Sequence, residues 1–142
     1  MSVIKIFIRS IIFSIVFTCF KFIVDVLMNL VLKKELIDLG TYRGITPEFS
    51  FNDYFMVFLL VSIPLLLSAL IFNFFIKDLI SKIFYWIIAA LPILIYAWFS
   101  LYVISYGGMK GFLLFFSNSV FLFIAFYYNY RMINKELEKY KN

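Results

Sequence analysis

The sequence predicts an all-α integral membrane protein: four transmembrane helices in an antiparallel bundle, with both termini cytoplasmic. Three observations carry that expectation. Of 142 residues, 65% are hydrophobic and 23% aromatic, and the mean hydropathy is +1.01, whereas soluble domains average about 45–50% apolar residues. Four apolar runs, each near the about 20 residues needed to cross a bilayer, alternate with polar breaks. The thirteen basic residues flank these runs instead of clustering, which is the pattern of membrane topology and not of a nucleic-acid groove. The lipid bilayer is therefore the expected environment, and no nucleic acid is expected as a partner.

The first span is expected over about residues 11–32. Lys5 and Arg9 precede it, as they would a signal sequence, but no small-x-small cleavage site follows. That combination predicts an uncleaved signal-anchor helix. Residues 33–53 form the expected outer loop, where Gly40, Gly44 and Pro47 interrupt any helix. The second span is expected over about 54–76, with Pro64 inside it. The third covers about 83–106, with Pro92 near its middle. Gly107, Gly108 and Gly111 make a tight turn into the fourth span, about 112–130, and residues 131–142 form a cytoplasmic tail. No internal repeat and no soluble domain interrupt this order, so residues 1–142 are expected to form a single membrane domain.

Basic residues set the expected orientation. With the N-terminus inside, Lys5, Arg9, Lys77, Lys82, Arg131, Lys135, Lys139 and Lys141 lie in the cytoplasm, and Lys33, Lys34, Arg43 and Lys110 lie outside. Eight against four favours that orientation, because the basic count decides and acidic residues weigh little. Tyr54, Tyr102 and Tyr106 at the outer ends, and Tyr85, Trp86, Tyr127, Tyr128 and Tyr130 at the inner ends, fit interfacial aromatic belts.

One span carries an unusual pattern. Ser10, Ser14, Thr18, Lys21, Asp25 and Asn29 follow one another at spacings of four, four, three, four and four, which places all six within an arc of roughly 100° on one helix face. Lipid cannot satisfy such a seam, so it is expected to face protein or water. Ser62, Ala69 and Asn73 align on the second span. Gly111, Asn118, Ala125 and Asn129 align on the fourth, with Ser117 and Ser119 beside Asn118. Small and amide residues at these spacings are typical of helix–helix contacts in membranes.

Ser14, Thr18, Lys21, Asp25, Asn29, Asn73, Ser117 and Asn118 are the candidate partner-binding or packing residues. Lys21 and Asp25 lie one turn apart. Each alone in hydrocarbon costs about 3 kcal/mol on insertion scales, and pairing lowers that cost. They read either as an ion or recognition site or as a structural pair that orients the helix. A proton carrier needs a group that exchanges its proton near neutral pH, and a neighbouring lysine instead favours ionised Asp25. Catalysis is not expected. With no histidine and a single cysteine, Cys19, the chain offers no Ser–His pair, paired acids or metal cluster. The glycines around Lys110 lack the spacing and context of a phosphate-binding loop. No metal or cofactor is expected.

Two stretches carry a resemblance. One is Ile63-Pro-Leu-Leu-Leu-Ser-Ala-Leu-Ile-Phe-Asn-Phe-Phe-Ile-Lys-Asp-Leu-Ile80. The other is Ser105-Tyr-Gly-Gly-Met-Lys-Gly, followed by Phe116-Ser-Asn-Ser-Val-Phe-Leu-Phe. In these stretches the chain resembles the immunity proteins of pore-forming colicins of the A type, over about half of its length. The proline opening the second span, the basic turn closing it, and the Gly-Gly turn into an Asn-bearing fourth span are the shared features.

The resemblance implies a multi-pass protein of the bacterial cytoplasmic (inner) membrane. Such a protein binds the membrane-inserted domain of a pore-forming toxin through helix–helix contacts and stops the channel opening. Two other classes remain open on the residues alone: a small ion transporter or channel using Asp25 and Lys21, and a non-catalytic assembly subunit of a membrane complex. A homo-oligomer is compatible with all three.

Overall fold

The computed structural model describes residues 3–38, 50–74 and 79–139. They form helix α1 (Val3–Asp38), helix α2 (Phe51–Phe74) and a long helical segment α3 (Leu79–Lys139). The dihedrals of α3 leave the helical region at Gly108 (φ 57°, ψ −157°). This conformation is essentially restricted to glycine, and it divides α3 into two arms. The sequence expectation of a turn spanning Gly107 to Gly111 is therefore corrected: the break is confined to Gly108, and helix resumes at once on either side.

Four helical stretches are long and apolar enough to cross a membrane: Ile4–Leu30, Phe51–Ile71, Lys82–Ser105 and Gly107–Lys135. The first and last are longer than the expected spans, and α1 continues to Asp38 while α2 begins at Phe51, so both helices reach into the residues expected as outer loop over 33–53. The start of α2 is set locally. The Ser50 carbonyl accepts the Tyr54 N–H at 3.3 Å, and Asp53 in the first turn complements the positive end of the helix dipole. Both α2 and the first arm of α3 run through their prolines, Pro64 and Pro92. Each proline withholds one N–H from the helix ladder, a loss that spanning helices tolerate.

Burial is inverted relative to a soluble domain. Trp98 is 73% exposed, and Ile12, Ile23, Leu94 and Phe123 also face outward, while Ser14, Asp25, Ser68, Ser100, Asn118 and Asn129 are buried. In water an apolar surface this continuous marks an interaction surface. Around four spanning helices it is the face presented to lipid, and the chain is a multi-pass membrane protein.

The core lies where all three elements meet. Phe17 of α1, Leu65 of α2, and Tyr96, Leu122 and Phe126 of α3 are buried in one cluster. Phe17 packs edge-on to Tyr96 at 5.4 Å, and Phe20 stacks on Phe121 at 4.6 Å. The two arms of α3 are joined by Tyr96 against Phe115 at 5.9 Å and Trp86 against Phe123 at 6.0 Å. A smaller cluster of Val24 and Met28 with Val103 and Leu114 continues the core toward the Gly108 end.

A candidate functional site in the intramembrane polar seam

α1 turns its polar face inward. Ser10, Ser14, Lys21 and Asp25 are buried, and Thr18 and Asn29 are half-buried. Two hydroxyls of the first half are satisfied within the helix, Ser14 Oγ donating to the Ser10 carbonyl and Thr18 Oγ1 to the Ser14 carbonyl, both at 2.8 Å, while the buried Ser10 Oγ has no hydrogen-bond partner among the described residues. Hydroxyl-to-backbone bonds of this kind let small polar residues sit in hydrocarbon without a second helix.

The second half of the seam closes around Asp25. Lys21 Nζ donates to Asp25 Oδ1 from one turn away, forming an ion pair. The other carboxylate oxygen, Oδ2, accepts the Tyr54 hydroxyl of α2 at 2.9 Å. Asn29 Nδ2 donates to the Asp25 backbone carbonyl at 3.2 Å. The Lys21 ammonium also stands 5.3 Å from the centre of the Phe115 ring, within the range where a cation is attracted to a ring face. The pair is therefore covered by α2 on the carboxylate side and by the second arm of α3 on the ammonium side. Lys21 is 8% exposed and Asp25 2%, so the two charges neutralise each other out of water and both carboxylate oxygens are used.

Other candidates are placed apart from this cluster. Asn118 is fully buried, and neither its Nδ2 nor its Oδ1 has a hydrogen-bond partner. Ser117 is half-buried and donates to the Leu114 carbonyl at 2.5 Å, so it serves its own helix. Asn73 lies outside the described side chains. The seam thus brings Lys21, Asp25 and Asn29 together, keeps Ser14 and Thr18 on the same face further along, and leaves Asn118 on the opposing helix without a polar contact.

Three participants were not singled out from the sequence as site residues. Tyr54 was expected only in an outer aromatic belt, yet its hydroxyl completes the Asp25 shell. Its position near the start of one span matches the depth of Asp25 near the end of the previous one, and that shared depth is the available signal. Phe115 gave none, because one phenylalanine among twenty does not announce a cation beneath it.

Tyr85 was expected in the inner interfacial belt, and the structure corrects this. It is fully buried, donates to the Phe126 carbonyl at 2.8 Å, and accepts from Asn129 Nδ2 at 3.3 Å. It ties the two arms of α3 together away from the Gly108 break. Ser119 makes a similar tie further along, donating to the Ile93 carbonyl at 3.2 Å.

Scans against protein-family models, curated proteins and solved structures return no match for this chain.

Proposed function

We propose that this chain is a non-catalytic immunity protein of the bacterial inner membrane, protecting its cell by binding the membrane-inserted domain of a pore-forming toxin and preventing channel opening. The observation that carries the reading is the closed Lys21–Asp25–Tyr54 cluster. A transporter needs its acid free to exchange a proton or ion, whereas both oxygens of Asp25 are committed to protein donors. The charged pair of α1 is thereby spent on joining α1 to α2. What the protein offers outward is an apolar, helical surface within the bilayer, which suits recognition of another membrane helix by packing. The resemblance of Ile63–Ile80, Ser105–Gly111 and Phe116–Phe123 to colicin immunity proteins is what directs the proposal to a toxin as the partner.

The arrangement this reading uses is an antiparallel bundle with both termini in the cytoplasm. In support, Phe13 meets Tyr128 while Lys21 lies over Phe115, the order of contacts that an antiparallel course of α1 and the second arm of α3 would give. Asp25 likewise meets Tyr54, while Ser10 shares a crevice with Ser62 and Leu66, an opposed course for α1 and α2. Lys5, Arg9, Lys82, Arg131 and Lys135 belong to one end of such a bundle, in keeping with the positive-inside tendency.

The test is protection. Sensitive cells expressing the protein are challenged with a panel of pore-forming colicins, and survival well above vector control against at least one is expected. Survival equal to vector control across the panel overturns the reading.

A further inference from the structure

The end of the bundle at which the fourth span leaves the apolar zone carries a cavity that the polar seam does not explain. Tyr128, Arg131, Met132, Asn134 and Lys135 line a space of about 500 Å³, within the roughly 300–1,000 Å³ of small-ligand sites. Arg131 and Lys135 are exposed and one helical turn apart, so two positive charges share one side of the opening.

Depth identifies what reaches it. The span Gly107–Lys135 has 29 residues, about 44 Å at 1.5 Å per residue, against about 30 Å of hydrocarbon and about 40–45 Å with the headgroups included. With Lys110 outside the hydrocarbon, a count from Gly111 ends it about 20 residues on, near Tyr130 and Arg131. Arg131 therefore stands at the hydrocarbon edge and Lys135 in the headgroup layer.

The start of α1 comes to the same end, since Ile6 shares a buried cluster with Ile133 and Phe13 meets the Tyr128 ring at 5.9 Å. Lys5 and Arg9 therefore belong to the same end of the bundle. Among the described side chains of this end none is acidic. Glu136 and Glu138, which follow in sequence, lie outside the described side chains.

We propose that this cavity binds the phosphate group of an anionic phospholipid from the adjoining leaflet. Arg131 offers a planar fork of donors suited to phosphate oxygens, and Lys135 a second, mobile positive charge. The Tyr128 hydroxyl and the Asn134 amide supply neutral donors, and Met132 gives an apolar floor for the first carbons of the chain. Basic residues gathered where a spanning helix leaves the hydrocarbon are a setting in which anionic headgroups are held, and here all five lining residues come from the end of α3. The inference rests on the membrane placement of the helices and is independent of the toxin reading.

The test uses the full chain purified in neutral detergent, with thermal unfolding followed in the presence of phosphatidylglycerol, phosphatidylcholine or inorganic phosphate. Phosphatidylglycerol at tenfold excess over its Kd is expected to raise the midpoint by on the order of 4 °C; phosphatidylcholine and inorganic phosphate leave it unchanged. The double change Arg131→Gln with Lys135→Gln abolishes the shift, and Lys110→Gln, at the other end of the bundle, retains it.

An equal shift from phosphatidylcholine, or one retained by the double variant, overturns the site. An equal shift from inorganic phosphate overturns the lipid as its source. Should the double variant fail to fold, mass spectrometry of lipid co-purified with the unaltered protein decides: enrichment of phosphatidylglycerol over the bulk membrane supports the site, and bulk composition overturns it.

Discussion

The Tyr54 hydroxyl, in the first turn of α2, donates at 2.9 Å to Oδ2 of Asp25, 29 residues earlier in the chain. That bond makes an intrahelical ion pair into a link between helices. Lys21 and Asp25 alone would stabilise only α1. With Tyr54 on one side and Phe115 on the other, the pair also fixes how α1 faces its neighbours.

Breaking the pair one-sidedly is expected to be worse than removing it. Lys21→Ala leaves a buried carboxylate with Tyr54 as its remaining side-chain donor, and loss of one partner of a buried pair costs about 3–5 kcal/mol. Lys21→Ala with Asp25→Ala removes both charges and is expected to recover much of that loss. Folded yield in detergent, compared across the two variants, reads the difference. Equal yields would show that the two charges are not coupled.

Tyr54→Phe keeps the ring, which packs edge-on against Phe22 at 5.5 Å, and removes only the hydroxyl. A hydrogen bond to a charged group contributes about 1.5–3 kcal/mol, and the half-buried setting of Tyr54 places the effect near the lower figure. Reversible unfolding in mixed detergent–SDS micelles measures it. Stability unchanged within error would remove Tyr54 from the seam.

Asn118 presents the opposite case, a buried amide with neither atom partnered. An unsatisfied buried polar group costs about 1–3 kcal/mol, so Asn118→Leu, which keeps the branch at Cγ and removes both polar atoms, is expected to stabilise the bundle by up to about that amount. The same unfolding assay checks it, and a destabilised variant would mean that the amide has a partner in the bilayer. If Asn118→Leu gains stability but loses protection against toxin, the amide serves recognition rather than folding.

Gly108 is held at φ 57° and ψ −157°, and a Cβ built there meets nothing within 4 Å. Gly108→Ala therefore tests backbone conformation without a steric clash, and such a strained position costs about 1–3 kcal/mol. A loss in that range, with the two arms still joined through Tyr85 and Phe126, is the expected result. No loss would indicate that the break can move to a neighbouring residue.

Much of this fold was legible because bilayer-spanning helices write themselves as long apolar runs, and the seam on α1 because a period of 3.6 needs only one helix to be seen. The inward course of Ser10, Ser14, Lys21 and Asn118 followed from the cost of polar groups in lipid. What a single helix cannot reveal is which neighbour completes its polar face. Tyr54 and Tyr85 have the same chemistry and similar places near span ends, so composition assigned both to interfacial belts. One instead closes on Asp25, and the other is buried with Asn129 and the Phe126 carbonyl. The confinement of the turn to Gly108 was hidden for a related reason, since three nearby glycines permit the break and only packing of the arms selects one.

The most direct measurement is potassium efflux from sensitive cells expressing the protein, recorded before and after addition of a pore-forming colicin. A sealed seam and an immunity role together predict a resting leak equal to vector control and suppression of efflux after at least one toxin of a panel. Undiminished efflux after every toxin, or a resting leak above control that disappears in Asp25→Asn, would contradict the account.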